Sequence, residues 1–317
     1  QFAGTATGEV RRTSRAMIFR QLFEPVIVAD VDGRELATAE GSGSAVLPGF
    51  AGRSADVIAS AVCEALESAN LGDQRARMIY VGVAGVGRAE EKRALQLELE
   101  RRNLAEEVIV EADALIALSD AFGSGPGIML IAGTGSIAFG RSPNGAFARV
   151  GGWGLAIGDE GSGAWIGRRA LGIVAAAHDG REPETALTGA ILTATQVSDI
   201  EDLVPWAIAA KPADLAALAP VVFAEAANDD TRAASLVSLA VEELVLHARA
   251  LARSLFVDER AEIPFAMSGG LLQKGSYLRK RLDTRLKSVV PGSVVSSSVI
   301  VPARGAVKAA LALVGAL

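Results

Sequence analysis

One hairpin pattern occurs twice in this chain, and it limits the possible folds more than any other feature. The segment VIVADVDGRELATAEG begins at Val26, and IAFGRSPNGAFARVGG, which begins at Ile137, has the same plan. Apolar runs on either side of a Gly-containing turn predict β-hairpins. Helical patterns and further apolar strands follow in each half. The sequence therefore predicts two copies of an α/β unit with a largely parallel sheet, which usually face each other across a ligand-binding cleft.

Periodicity places the remaining elements. In the first half it predicts a helix from an N-capping Ser54 to Gly72, a strand at Met78–Val83, a helix at 89–104 and a strand at Val108–Val110. In the second half it predicts a strand at 128–131, helices at about 163–177, 184–195 and 231–256, a strand at 263–267, a helix at 277–286, a strand at 299–301 and a helix from Ala303.

Composition excludes several classes of function. The chain has 317 residues and a formal charge of −6, which argues against a general nucleic-acid binder but allows a small anionic ligand. Cys63 is the single cysteine, so no intrachain disulfide forms and a reducing, cytoplasmic location is expected. The two histidines have no metal-ligand spacing, no apolar run is long enough to span a membrane, and the N-terminus does not resemble a signal peptide.

Glycine is concentrated where a ligand is expected. Of 34 glycines, fourteen lie between Gly123 and Gly167, and they serve either tight turns or the close approach of a ligand to the backbone. The turn Gly133-Thr-Gly-Ser136 joins two predicted strands, so its backbone N–H groups and hydroxyls either wrap a phosphate or form a plain turn. The matching stretch before Val26 contains no glycine, and the cluster Gly4–Gly8 lies about 18 residues too early.

Three segments resemble a known family: the run from Asp113 to Leu118, IAGTGSIAFG, and GGWGLAIGDEGSGAWIGRRAL. They are similar to the N-acetylglucosamine and glucosamine kinases of the BadF/BadG/BcrA/BcrD-type group of the actin-like ATPase superfamily. The resemblance runs from about Asp30 to the C-terminus. It implies an α/β fold of two ribonuclease-H-like domains facing each other across a cleft. The expected domains are residues 1–115 with 303–317, and residues 116–302 with a helical insertion.

The resemblance also implies roles for individual residues. Asp113 matches the catalytic base, although an aspartate that opens a helix also reads as an N-cap. The β- and γ-phosphates are expected on Gly133, Thr134, Gly135 and Ser136.

Sugar binding is expected near GGWG and GDEGS, through Gly152, Trp153 and Asp159. Glu160 either supports Asp159, orders metal-bound water or lies at the surface. Trp165 is interpreted as core, and Gly269 and Gly270 match the adenosine segment.

The implied reaction is phosphoryl transfer from ATP, with Mg²⁺, to a sugar hydroxyl, O6. The partners are a small sugar and a nucleotide, without nucleic acid or membrane, and the family leads us to expect a homodimer. Two departures keep alternatives open. The Asp-Gly-Gly-Gly-Thr turn of the family is absent before Val26, and Ala45 stands where several N-acetylglucosamine kinases carry asparagine. The alternatives are a non-catalytic sugar-binding or regulatory homologue and an activator-type ATPase of an iron–sulfur enzyme, for which Cys63 is a poor cluster ligand.

Overall fold

The computed structural model describes residues 17–20, 26–39, 49–72, 74–83, 86, 89–257, 262–296 and 302–314. The described residues form two compact units. One consists of those within 1–124 and 301–317, and the other of those within 125–300. Each unit contains one five-stranded sheet with helices packed on it. The structure is thus of the mixed α/β class.

The described elements are numbered in chain order. The strands are β1 (Met17–Arg20), β2 (Val26–Ala29), β3 (Glu35–Ala39), β4 (Ala76–Val83), β5 (Ala105–Ala112), β6 (Gly127–Ala132), β7 (Ser136–Arg141), β8 (Phe147–Gly151), β9 (Ile263–Ser268) and β10 (Ser293–Val295). The helices are α1 (Ala51–Ser68), α2 (Ala89–Arg101), α3 (Asp113–Phe122), α4 (Gly163–His178), α5 (Leu187–Thr195), α6 (Leu203–Ala209), α7 (Pro212–Ala216), α8 (Ala219–Ala227), α9 (Thr231–Leu255), α10 (Tyr277–Val289) and α11 (Pro302–Val314).

The sheet of the first unit has the strand order β3-β2-β1-β4-β5. The pairs β1–β2 and β2–β3 are antiparallel, whereas β4 runs parallel to both β1 and β5. Strand β4 is almost entirely apolar because both of its faces are covered. Helices α1 and α2 pack on one face around Ile58, Val81 and Leu95, and α3 and α11 pack on the other around Ile116 and Ala306.

The sheet of the second unit repeats this topology. Its order is β8-β7-β6-β9-β10, with β6–β7 and β7–β8 antiparallel and β9 parallel to β6 and β10. Among the described residues, six helices, α4 to α9, lie between β8 and β9, and α1 is the helix found between β3 and β4 of the first unit. The longest helix, α9, packs on β6, β7 and β8 through an apolar face with helical spacing that includes Leu244 and Leu251. The topological repeat predicted from the two hairpins is confirmed.

Several predicted elements change at the level of residues. Helix α1 begins at Ala51, so Ser54 is buried within its first turns and is not the N-cap. The predicted strand at 299–301 lies outside the described residues, and the strand that pairs with β9 is β10. The structure adds β1, which precedes the first hairpin as β6 precedes the second, and it adds the short helices α6, α7 and α8. Trp165 is buried in the core of the second unit, as predicted.

Candidate active site

The glycine turn Gly133–Ser136 follows the carboxyl end of β6 and is held in place by helix α4. The N–H of Gly163 donates to the carbonyl oxygen of Gly133 at 2.8 Å, and the N–H of Ala164 donates to that of Thr134 at 3.2 Å. Within the turn, the N–H of Gly133 donates to the carbonyl oxygen of Gly135 at 2.9 Å. These bonds fix the shape of the turn before any ligand binds.

The predicted adenosine segment lies beside this turn. Strands β6 and β9 are parallel neighbours, so the turns at their carboxyl ends meet at one edge of the sheet. Gly269 has φ +92°, and a Cβ atom there would lie 2.4 Å from the carbonyl oxygen of Ala132. A Cβ atom at Gly133 would in turn lie 3.7 Å from the nitrogen of Gly270. The position that requires glycine is therefore Gly269, because the contact at Gly133 is at an ordinary van der Waals distance.

Asp159 reaches the glycine turn from the opposite segment. Its backbone has φ +59°, and its Oδ1 accepts a hydrogen bond of 3.2 Å from the N–H of Gly154. A Cβ atom at Gly135 would lie 2.8 Å from Asp159 Oδ2. The second glycine of the turn is therefore needed to make room for a carboxylate.

Ser136 connects the turn to the remaining predicted sugar segment. Its hydroxyl is buried and donates to the carbonyl oxygen of Glu160 at 2.7 Å, while its own carbonyl oxygen accepts from the N–H of Gly152 at 3.0 Å. The Ser136 hydroxyl is thus committed within the protein, which leaves the backbone of the turn as the part suited to a phosphate.

Trp153 and Trp165 have opposite environments. Trp153 is 63% exposed and carries the guanidinium of Arg149 at 4.9 Å from its ring centroid, so it does not pack in the core. Trp165 is buried, and its backbone N–H donates to the hydroxyl oxygen of Ser162, the N-cap of α4, at 3.2 Å. An exposed indole next to a polar loop is suited to stacking on the apolar face of a ring ligand.

Asp113 belongs to the first unit, whereas all the other predicted site residues belong to the second. It is the first residue of α3, and the N-cap position is Ala112, so the interpretation of Asp113 as the N-cap is wrong. Its Oδ1 accepts from the N–H of Ala114 at 2.8 Å. Burial raises the pKa of Asp113, and the backbone N–H groups around the carboxylate oppose that rise only in part.

Glu111, two residues before Asp113, interacts with Lys92 and with Tyr80. Glu111, at the end of β5, lies 3.0 Å from the Nζ of Lys92 on α2. Burial, and to a smaller extent the charge of Glu111, raises the pKa of Tyr80 to about 12. The end of β5 is therefore anchored to α2 just before the strand delivers Asp113.

Sequence reasoning missed one residue of this region. His247, on α9, is buried, and its Nε2 lies 3.9 Å from Glu160 Oε2. No motif or spacing in the sequence connects His247 with Glu160, because the contact depends on how α9 packs against the end of β8.

The described residues contain no group of three or more His, Cys, Asp or Glu side chains placed to hold a metal ion. None of the described helices is long and apolar enough to cross a membrane.

Comparison with known proteins gives consistent matches. The family model for the BadF/BadG/BcrA/BcrD ATPase family matches residues 25–312. An N-acetylmuramic acid/N-acetylglucosamine kinase from Clostridium acetobutylicum is 33% identical over 202 residues, which are 63% of this chain and 66% of that protein, just under two thirds. An N-acetyl-D-glucosamine kinase from Dictyostelium discoideum is 30% identical over 240 residues, which are 74% of this chain and 75% of that protein.

A solved structure shows the same fold. A candidate N-acetylglucosamine kinase from Chromobacterium violaceum superimposes with a TM-score of 0.74 at 31% identity. The superposition covers 92% of this chain and 98% of that one.

Proposed function

Because this chain belongs to the BadF/BadG/BcrA/BcrD ATPase family, we propose that it is an amino-sugar kinase that transfers the γ-phosphoryl group of ATP to O6 of glucosamine or N-acetylglucosamine. One observation carries the proposal. Gly133 of the glycine turn lies beside Gly270 of the predicted adenosine segment, and Gly135 of the same turn lies against the carboxylate of Asp159. A phosphate-binding turn placed between a nucleotide segment and a sugar segment is the arrangement that phosphoryl transfer to a sugar requires.

The nucleotide is proposed to lie along the carboxyl ends of β6 and β9. Backbone N–H groups of Gly133, Thr134, Gly135 and Ser136 would hold the β- and γ-phosphates, since successive N–H groups in a tight turn form an anion-binding concavity. Gly269 and Gly270 would let the adenosine lie against the main chain.

The sugar is proposed to lie at the loop that follows β8. Gly152 and the exposed Trp153 would line the ring, and the carboxylate of Asp159 would accept hydrogen bonds from two hydroxyls, an arrangement that orients as well as binds. Glu160, whose side chain is 34% exposed, would support this loop. The relatives named as N-acetylglucosamine kinases favour an amino sugar over a plain hexose.

Asp113 is proposed to be the general base. Its carboxylate takes the proton of the O6 hydroxyl, O6 forms a bond to the γ-phosphorus, and the bond from that phosphorus to the β–γ bridging oxygen breaks, which releases ADP. The raised pKa of Asp113 makes its carboxylate a better proton acceptor than an ordinary exposed one. The backbone N–H groups of the turn would stabilise charge on the transferred group.

The residues present fit a magnesium ion carried by the nucleotide. Mg²⁺ prefers oxygen ligands, keeps several waters and usually takes only one or two carboxylates plus substrate phosphates. Glu160, whose side chain is 34% exposed and whose carbonyl oxygen accepts from Ser136 of the phosphate turn, would order water bound to the ion. The ion would neutralise charge on the phosphates.

The proposal extends to architecture and location. The two proposed actin-like ATPase domains, residues 1–115 with 303–317 and residues 116–302, differ from the compact units only in the assignment of residues 116–124 and 301–302. Their expected arrangement, facing each other across a cleft, is part of the proposal. A cytoplasmic location is proposed from the single cysteine, and a homodimer from the family resemblance.

A substrate panel tests the proposed function. The purified chain is incubated with ATP, Mg²⁺ and each of a set of hexoses and hexosamines, and ADP release and sugar phosphate are both measured. We expect glucosamine or N-acetylglucosamine to have the highest kcat/KM. Tight binding of sugar and nucleotide without transfer would support the non-catalytic alternative, and ATP hydrolysis that ignores every sugar would contradict the proposal.

A further inference from the structure

The ring of His247 contacts both ends of the loop that carries the proposed sugar ligands. A Cβ atom at Gly151 would lie 2.4 Å from His247 Nε2, so the ring packs directly on the start of this loop. The same nitrogen lies 3.9 Å from Oε2 of Glu160, near the loop's end. The His247 side chain is only 8% exposed, so water covers little of this contact.

The tautomer of His247 is fixed by its own helix. Nδ1 lies 2.7 Å from the carbonyl oxygen of Glu243. A carbonyl oxygen only accepts hydrogen bonds, so Nδ1 carries a proton whether the ring is neutral or charged. Nε2 is therefore the ring nitrogen that faces the Glu160 carboxylate, and its distance of 3.9 Å from Oε2 is a packing contact, longer than a hydrogen bond.

Glu160 and its neighbour Asp159 both contact the glycine turn. Its carbonyl oxygen accepts the hydroxyl of Ser136, in the glycine turn, at 2.7 Å. Its neighbour Asp159 packs against Gly135 in the same turn. A change in the contact between His247 and Glu160 therefore acts on the carboxylate that is proposed to hold the sugar.

Other charged groups near α9 are engaged elsewhere. The guanidinium of Arg149, on β8, lies over Trp153, and that of Arg141, on β7, donates to the carbonyl oxygen of Gly125. Glu242, on α9 itself, pairs with Arg285 on α10. Within the described part of the chain, Glu160 is the carboxylate found within 4.0 Å of the His247 ring.

We propose that His247 is a positioning residue whose ring, packed against Gly151 and Glu160, keeps the loop from Gly151 to Glu160 in the form that binds the sugar. The inference rests on the proposed kinase function. It predicts that loss of the ring lowers the affinity for the sugar and has a smaller effect on the transfer step.

Kinetics of three variants test this proposal. We expect His247→Leu, which removes both ring nitrogens, to raise the KM for the sugar roughly three- to tenfold while kcat changes little, the scale of one lost hydrogen bond. His247→Gln retains a side chain that can donate to the carbonyl oxygen of Glu243, so its KM should stay close to that of the wild type. Thermal unfolding of each variant checks that it is folded.

His178→Gln is the matched control, because His178 is the other histidine of the chain and lies 3.8 Å from Glu201 on an exposed surface. It should keep the wild-type KM. A His247→Leu variant with the wild-type KM would overturn the proposal, as would a His178→Gln variant with the same rise in KM as His247→Leu.

A second measurement does not depend on activity. The backbone amide signals of Gly135 and Asp159 are recorded by NMR, without substrates, in the wild type, in His247→Leu and in His178→Gln. His247→Leu should shift both signals, and His178→Gln should leave them in place. Unshifted signals in His247→Leu overturn the coupling even if the chain is a kinase, whereas failure to phosphorylate any sugar overturns the proposed function and leaves this result standing.

Discussion

The two units share one sheet topology but differ in what their connections carry. In the described part of the first unit a single helix, α1, lies between β3 and β4, and one carboxylate, Asp113, follows the end of β5. In the described part of the second unit six helices lie between β8 and β9. There the connections that follow β6, β8 and β9 are rich in glycine and contact one another around Gly135 and Gly269.

The comparison separates the residues that build the two sheets from the residues that carry the proposed chemistry. Both sheets are built from apolar strands in the same order, so the framework tolerates very different connections. The chemistry is added at the carboxyl ends of parallel strands, where side chains and backbone N–H groups are not used by the sheet. The first unit would supply a base and the second would supply the binding groups.

Removal of the base is expected to have the largest effect. Asp113→Asn preserves shape and the hydrogen bond from Ala114 but cannot accept the proton, so we expect kcat to fall at least roughly 100-fold while the affinity for the sugar is largely kept. Steady-state kinetics and calorimetry measure the two quantities. Asp120→Asn is the matched control on the same helix, since Asp120 pairs with Lys308 at 2.9 Å. Normal turnover of Asp113→Asn would remove this residue from the mechanism.

Asp159→Ala tests the binding groups of the second unit. We expect the affinity for the sugar to fall by about 1.5–3 kcal/mol, the scale of hydrogen bonds to a charged group, and the affinity for the nucleotide to change little. Calorimetric titrations with each ligand separate the two. Since Asp159 also lies against the glycine turn, loss of ATP binding with sugar binding intact would reassign it to the phosphates.

The predictable part of the structure follows from local pattern. Alternating and continuous apolar runs identify both hairpins and the strands β4, β5, β6 and β9, because burial on one or both faces selects such residues. The start of α1 was not predictable from Ser54, since a serine in a helical pattern fits the N-cap and the first turns equally well. The short helices α6 to α8 were not predicted, because each is too short to show a repeating apolar pattern of helical period.

The site was predictable where glycine marks it and not where packing creates it. The glycine turn, Asp159 and the glycines after β9 stand in recognisable segments, and their contacts follow from the order of the strands. The burial of the Ser136 hydroxyl and the contact between His247 and Glu160 depend on tertiary packing between segments far apart in sequence. No local pattern in the sequence encodes either of them.

Gly135→Ala tests whether the turn needs its close contact. An added Cβ atom would lie 2.8 Å from Asp159 Oδ2, so the turn or the carboxylate must shift. We expect the KM for ATP to rise roughly 10- to 30-fold, in line with the cost of overpacking a tight site. Gly172→Ala, within α4, is the control: a Cβ atom there meets nothing within 4 Å, so KM should not change and the helix should be slightly more stable. Equal KM values in both variants would contradict this account of the turn.

A graft makes the first unit resemble the second more closely. Residues 21–25, which lie outside the described residues, read Gln-Leu-Phe-Glu-Pro and contain no glycine. Bulky residues resist positive φ, and Pro25 has no N–H to donate, so we predict weak nucleotide binding and slow transfer in the wild type. Replacing this segment by Asp-Gly-Gly-Gly-Thr should raise kcat/KM for ATP by about five- to tenfold. Wild-type turnover at the usual kinase rate of about 1–100 per second would contradict the prediction.

The smallest expected effect concerns stability and uses Asp113 again. Burial raises its pKa in the folded protein, so the folded state holds a proton over a pH range in which the unfolded state has already lost it. The wild type therefore loses stability as pH rises from the ordinary aspartate value, near 4, through the raised value. Asp113→Asn has no charge to bury, so its Tm should exceed that of the wild type by roughly 1–3 °C at pH 7 and by less at pH 4. Thermal denaturation at both pH values measures the difference. If Asp113 served only to stabilise the first turn of α3, its replacement would instead destabilise the protein. A lower Tm for Asp113→Asn at pH 7 would therefore support a structural role over a catalytic one.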